Sequence, residues 1–222
     1  MDKSCLAWIG GWAFPLDAWE PWLQEAYPDF CHLFLDAHAL LEPIALDQAL
    51  SGLPDGTLVV AWSLGSLLAL EACASASWPR RLRLLCACPI ADFCAPSGRW
   101  RPRVLDRMIT ALASRREAVL EDFRRLVWPD MPLDLAAAWA RRAETIPDAA
   151  LAAGLVALRD RRVDPAHLSD AGISCLVCQD DPVSPPWEGR APFLTLERGG
   201  HVPFLASSAA FGRALSGLHS QA

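Results

Sequence analysis

A serine, a histidine and an aspartate stand in three settings that together could carry nucleophilic catalysis. Ser63 lies in Ala61-Trp62-Ser63-Leu64-Gly65, between the β-branched and apolar run Leu58–Trp62 and a second apolar run that begins at Leu64. A strand entering a helix through a sharp turn puts a serine at the apex, and the strained backbone there needs small residues two before and two after it. Gly65 and Ala61 meet that need. The turn exposes the hydroxyl and points a helix N-terminus at any negative charge that develops beside it. The same five residues also fit a plain turn with a serine N-cap, so the reading depends on partners.

Five histidines are present, at 32, 38, 167, 201 and 219. Only His201 has a suggestive setting: it follows Arg198-Gly199-Gly200, between the last expected strand and the last expected helix. A neutral imidazole there can take the serine proton and return it to a leaving group. The acid should fall between serine and histidine, at a strand end. Asp181 is the first choice because Pro185 follows it in a D-x-x-x-P pattern; Asp180 is the second and Asp92 the third. The acid would fix the imidazole tautomer, although an aspartate before Pro182 also suits a turn. For the oxyanion hole, one donor is the Leu64 amide, just after the nucleophile, and the other is the Trp12 amide, in Ile9-Gly10-Gly11-Trp12 after the first expected strand.

The elements that must position these residues alternate. Strands are expected at Leu6–Ile9, Cys31–Leu35, Leu58–Trp62, Leu82–Ala87, Ile173–Cys178 and Pro192–Leu196. Helices are expected at Asp17–Ala26, Leu46–Ser51, Leu64–Ala74 and Pro203–Leu218, with Pro203 in a first turn. Short strands alternating with helices read as a parallel sheet covered on both faces. Residues 89–168 differ: they carry helical patterns only, divided into short helices by prolines at 96, 102, 129, 132, 147 and 165. They are expected as a helical insertion within a single domain spanning 1–222.

Composition bounds the function. The 222 residues are 53% hydrophobic and 21% charged, with a net charge of −6. A disordered chain is excluded, and broad nucleic-acid binding is disfavoured. No run of about 18 apolar residues suggests a membrane span. The opening residues lack a basic segment and a cleavage site, so the cytoplasm is the expected compartment. Residues 79–125 nevertheless hold eleven arginines against five acids. That patch is either a dock for an anionic partner or a solvated helix face. The eight cysteines, including the Cys86/Cys88 and Cys175/Cys178 pairs, lack zinc-finger spacing and are expected as buried free thiols. No metal or redox cofactor is implied.

With these residues in place, the chain resembles the α/β-hydrolase superfamily, and within it the pimeloyl-acyl-carrier-protein methyl ester esterases of biotin synthesis. The resemblance rests on Gly10-Gly11-Trp12, Ala61-Trp62-Ser63-Leu64-Gly65-Ser66, Asp181-Pro182-Val183-Ser184-Pro185 and Gly200-His201-Val202-Pro203-Phe204. The family reads H-G-W, G-W-S-L-G-G, D-x-x-x-P and G/A-H-A-P-F. Gly10 therefore stands for a histidine, and Ala61 and Ser66 for glycines. The first expected strand matches the family's third, leaving about six. The resemblance implies a serine esterase whose helical lid, here 89–168, forms an acyl channel and uses arginines to hold an acyl carrier protein. Arg115, Arg116, Arg124 and Arg125 are the candidates for the carrier, and Phe123 for the acyl chain. Trp12 and Trp62 are read as apolar walls of the site or as core. A small-molecule carboxylesterase or thioesterase with the same triad is the nearest rival reading, and a non-catalytic binding protein of the same fold is another.

Overall fold

The computed structural model describes residues 3–75, 77–168, 173–189 and 193–219. Its centre is one sheet of six strands: β1 Ser4–Ile9, β2 Phe30–Leu35, β3 Leu58–Trp62, β4 Arg83–Ala87, β5 Ile173–Cys178 and β6 Phe193–Leu196. The order is β2-β1-β3-β4-β5-β6, and every pairing is parallel. The inner strands are apolar on both faces because helices cover both; all five residues of β3 are buried. Helix α1 (Glu20–Ala26) packs with α8 (Ser208–His219), while α2 (Pro43–Ser51) packs with α3 (Leu64–Ala74). The chain runs outward from β1 to β2 and then returns past β1 to β3. The order thus reverses between β1 and β3, and the crevice at the carboxyl ends of these two strands is where an open α/β sheet places its ligand. The loops that carry Trp12 and Ser63 leave the sheet there.

Between β4 and β5 lie α4 (Pro102–Val127), α5 (Leu133–Ala143) and α6 (Asp148–Asp160). The prolines mark starts: Pro102 is in the first turn of α4, and Pro132 and Pro147 are the N-caps of α5 and α6. One further break has no proline to mark it: α4 is two helical stretches that meet at a kink at Arg115 (φ −143°, ψ 38°). Among the described residues no helix is long and apolar enough to cross a membrane.

Other expectations shift at their edges. Helix α2 starts at Pro43, three residues early, with the proline in its first turn. The expected helix Pro203–Leu218 is two, α7 (Pro203–Ala206) and α8, because Ser207 leaves helical geometry and its hydroxyl donates to the Arg198 carbonyl at 3.1 Å. Pro192, expected to open the last strand, lies outside the described residues. The cysteine reading is corrected for one pair: Cys5 and Cys31 face each other in register on β1 and β2, with Cα atoms 4.6 Å apart, and form a disulfide. Cys73, Cys86, Cys88, Cys94, Cys175 and Cys178 are free and buried.

Candidate active site

The elbow is built from the residues that surround Ser63. Its backbone sits at φ 56°, ψ −118°, which a non-glycine residue adopts only under constraint. Gly65 supplies part of that constraint: its N–H donates to the Gly10 carbonyl at 3.0 Å, and a Cβ there would meet the Gly10 and Ile9 carbonyl oxygens at 2.7 Å. Ser66 supplies more. Its hydroxyl donates to the Ser63 carbonyl at 2.6 Å and accepts the Ile90 N–H at 3.0 Å, tying the elbow to the loop after β4. Sequence reasoning took Ser66 as a departure from the family glycine and missed this role.

His201 Nε2 lies 2.9 Å from Ser63 Oγ, and His201 Nδ1 lies 2.9 Å from Asp181 Oδ2 and 3.1 Å from Oδ1. A carboxylate can only accept, so Nδ1 carries the proton and Nε2 is left to accept the serine hydroxyl. Burial pushes the Asp181 carboxyl up, but the charge and hydrogen bond of His201, the Val183 amide and Ser184 outweigh it and bring it down to about 2. The three candidate acids are thus separated. Asp180 accepts the Gly199 and Gly200 amides at 3.2 and 2.8 Å, holding the turn that delivers His201. Gly200 sits at φ 56°, a conformation that favours glycine. Asp92 pairs with Arg162 and accepts the Cys94 amide. Arg99 and Trp100 donate to the Pro182 and Val183 carbonyls, which anchors the Asp181 loop to the start of the insertion.

The turn Gly10–Phe14 stands against the serine. A Cβ on Gly11 would lie 3.2 Å from Ser63 Cβ and 3.1 Å from the Trp62 ring, so a side chain there would force the turn away. The Leu64 amide occupies the first position of α3, where no preceding turn offers it an acceptor. The Trp12 side chain turns away and donates to the Leu151 carbonyl on α6 at 2.8 Å. Trp139 on α5 donates to the Ala13 carbonyl at 2.8 Å.

The two aromatic candidates for the site wall separate from the third. Trp12 and Phe123 meet edge to face, with centroids 4.8 Å apart. Of its two readings, wall or core, Trp62 takes the second: it is wholly buried, packs on the His201 ring and on Phe204, and donates to the His201 carbonyl at 2.6 Å. These contacts position the histidine. Over the site, a Cβ on Gly154 of α6 would meet Trp12 at 2.8 Å and Leu64 at 3.4 Å. Ser63 is 4% exposed and His201 1%, so α4 and α6 close the site in this conformation.

The four arginines singled out in the sequence are dispersed. Arg116 pairs with Asp148, and Arg124 and Arg125 both grip Glu121, holding its carboxyl at about 2. Arg115 is exposed and has no ion pair among the described residues; the same holds for Arg103 and Arg107 on the same helix. Cys88, Asp181 and His201 present a thiol, a carboxylate and an imidazole within 4.8 Å of one another. The imidazole and carboxylate are already bonded, and burial pushes the Cys88 thiol up, which disfavours the thiolate a metal needs.

A profile described as "Alpha/beta hydrolase family" matches residues 9–214. No curated protein sequence matches the chain. Among solved structures the chain is similar to an esterase from Exiguobacterium antarcticum, at 14% identity and a TM-score of 0.76 over 99% of this chain and 92% of that one. It is similar to an enol-lactonase from Burkholderia xenovorans LB400, at 14% identity and 0.74 over 99% and 92%. It is also similar to BioG from Haemophilus influenzae, at 19% identity and 0.58 over 90% and 89%. At these identities the likeness is one of fold.

Proposed function

The chain belongs to the alpha/beta hydrolase family, and from that premise we propose that it is a serine carboxylic-ester hydrolase acting on the methyl ester of a pimeloyl chain borne by an acyl carrier protein. The observation that carries the hydrolytic reading is the unbroken line from Asp181 through His201 to Ser63 at 2.9 Å per link, on a strained elbow. Ser63 Oγ attacks the ester carbonyl while His201 Nε2 takes its proton. The oxyanion is held by the Trp12 and Leu64 amides. Collapse expels methanol, which takes the proton back from His201. Water, deprotonated by His201, then attacks the acyl-enzyme and releases the free carboxylate and Ser63.

The carrier part of the proposal rests on the motif resemblance and on charge. An acidic carrier needs cations that are not already paired, and Arg103, Arg107 and Arg115 meet that condition better than Arg116, Arg124 or Arg125. The bend of α4 borders an open groove of about 300 Å³ with an apolar floor that includes Trp100, Met108, Val119 and Phe123, and with Arg107, Arg115 and Asp122 also in its lining; we assign the floor to the acyl chain. We place the enzyme in the cytoplasm. A small-molecule carboxylesterase is the second reading, favoured by the internal pairing of three of the four arginines first singled out. Turnover of pimeloyl-carrier methyl ester beside a short p-nitrophenyl ester decides between them. A strong preference for the carrier ester, lost in Ser63→Ala, supports the first; turnover of the small ester alone supports the second. A wild type that reacts with neither substrate nor a fluorophosphonate would leave only a non-catalytic binding protein.

A further inference from the structure

Ala13, the residue after the oxyanion donor Trp12, has φ 58°, and with Ser63 and Cys88 it is one of three non-glycine residues at positive φ among the described residues. Its carbonyl accepts the Trp139 Nε1–H at 2.8 Å, and the Phe14 N–H donates to the Gly11 carbonyl at 3.2 Å across the same turn, which leaves its own N–H to be held. That N–H donates to His38 Nε2 at 3.4 Å, deep in the molecule, where the His38 side chain is 3% exposed. His38 follows β2 as the Gly10–Phe14 turn follows β1, and the two strands are neighbours, with Leu35 in register with Ile9. The carboxyl ends of adjacent strands therefore bring the histidine to the turn.

The protonation pattern is dictated by its partners. An amide can only donate, so Nε2 must present a lone pair. The proton then sits on Nδ1, which lies 3.1 Å from Asp36 Oδ1; that oxygen also accepts the His38 backbone N–H at 3.0 Å. Asp36–His38–Ala13 is thus a second acid–imidazole relay that ends on a backbone amide instead of a hydroxyl. The proposed reaction makes no use of it.

We propose that His38 is a positioning residue for the oxyanion hole: oriented by Asp36, it holds the strained Ala13 and so aims the Trp12 amide at the oxyanion on Ser63. This rests on the serine-hydrolase reading and adds to it a residue that touches neither substrate nor reacting atoms. An oxyanion donor acts mainly in the transition state, so its misplacement appears in kcat more than in KM.

The test compares wild type, His38→Leu and His38→Gln on a short p-nitrophenyl ester, with fluorophosphonate titration counting competent sites. Leucine fills the space without an acceptor; glutamine returns an acceptor near the Nε2 position. The expected result is a kcat about tenfold lower in His38→Leu with KM within about twofold, and recovery to within about threefold of wild type in His38→Gln. Equal losses in both variants, a loss carried by KM, or an unchanged kcat in His38→Leu overturns the assignment while leaving the triad intact. If His38→Leu does not fold, His38→Ala takes its place, and His38→Gln must still exceed it in kcat. A wild type that neither turns over nor labels overturns the serine-hydrolase reading and this assignment with it.

Discussion

The backbone leaves regular geometry at Ser63 and again at Arg115, and the two places are held in opposite ways. Ser63 is buried, and its turn is fixed by a glycine contact, a hydroxyl bridge to the loop after β4 and two hydrogen bonds that its own carbonyl accepts from the Ser66 and Leu67 amides of α3. Arg115 bends an amphipathic helix whose outer face is charged, and the neighbouring restraints all run through one side chain: Arg116 pairs with Asp148 and donates to the Ala143 carbonyl at 2.8 Å. Surface pairs of that kind contribute roughly 0–1 kcal/mol. The elbow sets where a nucleophile stands to within a fraction of an ångström. The bend shapes a groove and a charged face, and on the proposed function changes there should alter what is recognised without moving the nucleophile. On that same function, chemistry is concentrated in the tightly bonded region and selection in the loosely bonded one.

The largest expected effects break the rigid side of that comparison. Ser63→Ala and His201→Ala should each lower kcat by about 10⁶-fold on any ester, leaving the residual rate of binding and oxyanion stabilisation. Asp181→Asn should cost about 10³- to 10⁴-fold in steady-state kcat, by losing the tautomer that presents Nε2. Asp180→Asn, which weakens a turn but leaves the acid in place, should cost far less, and a reversal of that order would reassign the acid.

These residues were legible because each announces itself locally. The small residue on either side of Ser63, the glycines before His201 and the proline after Asp181 are short patterns that backbone geometry imposes. What stayed hidden depends on residues far apart in sequence. Asp180 became a turn acceptor only once β5 and β6 were side by side. Trp62 adjoins Ser63 and reads as either wall or core in the sequence; only the packing of its ring against His201 and Phe204 favours the core. The Cys5–Cys31 bond needed the register of β1 and β2. His38 has its acid, Asp36, two residues before it, but its other partner, Ala13, is 25 residues earlier. The bend in α4 has no proline or glycine to mark it.

Smaller effects sharpen the comparison. Gly154→Ala brings a methyl against the buried Trp12 ring at a distance no real contact shows, so kcat/KM should fall about tenfold and the melting temperature by about a few degrees as α6 is forced from Trp12. Arg107→Glu combined with Arg115→Glu should lower the ratio of carrier-ester to small-ester kcat/KM by about tenfold, most at low salt, where exposed charges are least screened. An unchanged ratio would favour the small-molecule esterase. The pH dependence of stability offers the smallest effect. The Asp181 carboxyl is lowered from 3.8 to about 2 in the folded chain. Its stabilisation, roughly 2 kcal/mol, is complete above the ordinary carboxylate value and is lost as pH falls through about 2. Urea midpoints of wild type and Asp181→Asn should therefore differ above pH 4 and converge towards pH 2.

The most direct test of the central claim is peptide mass spectrometry after treatment with a fluorophosphonate. An activated serine predicts a single adduct on the peptide that contains Ser63, formed much more slowly in Asp181→Asn and absent in Ser63→Ala. An unmodified wild type, or an adduct on another residue that survives Ser63→Ala, would contradict it.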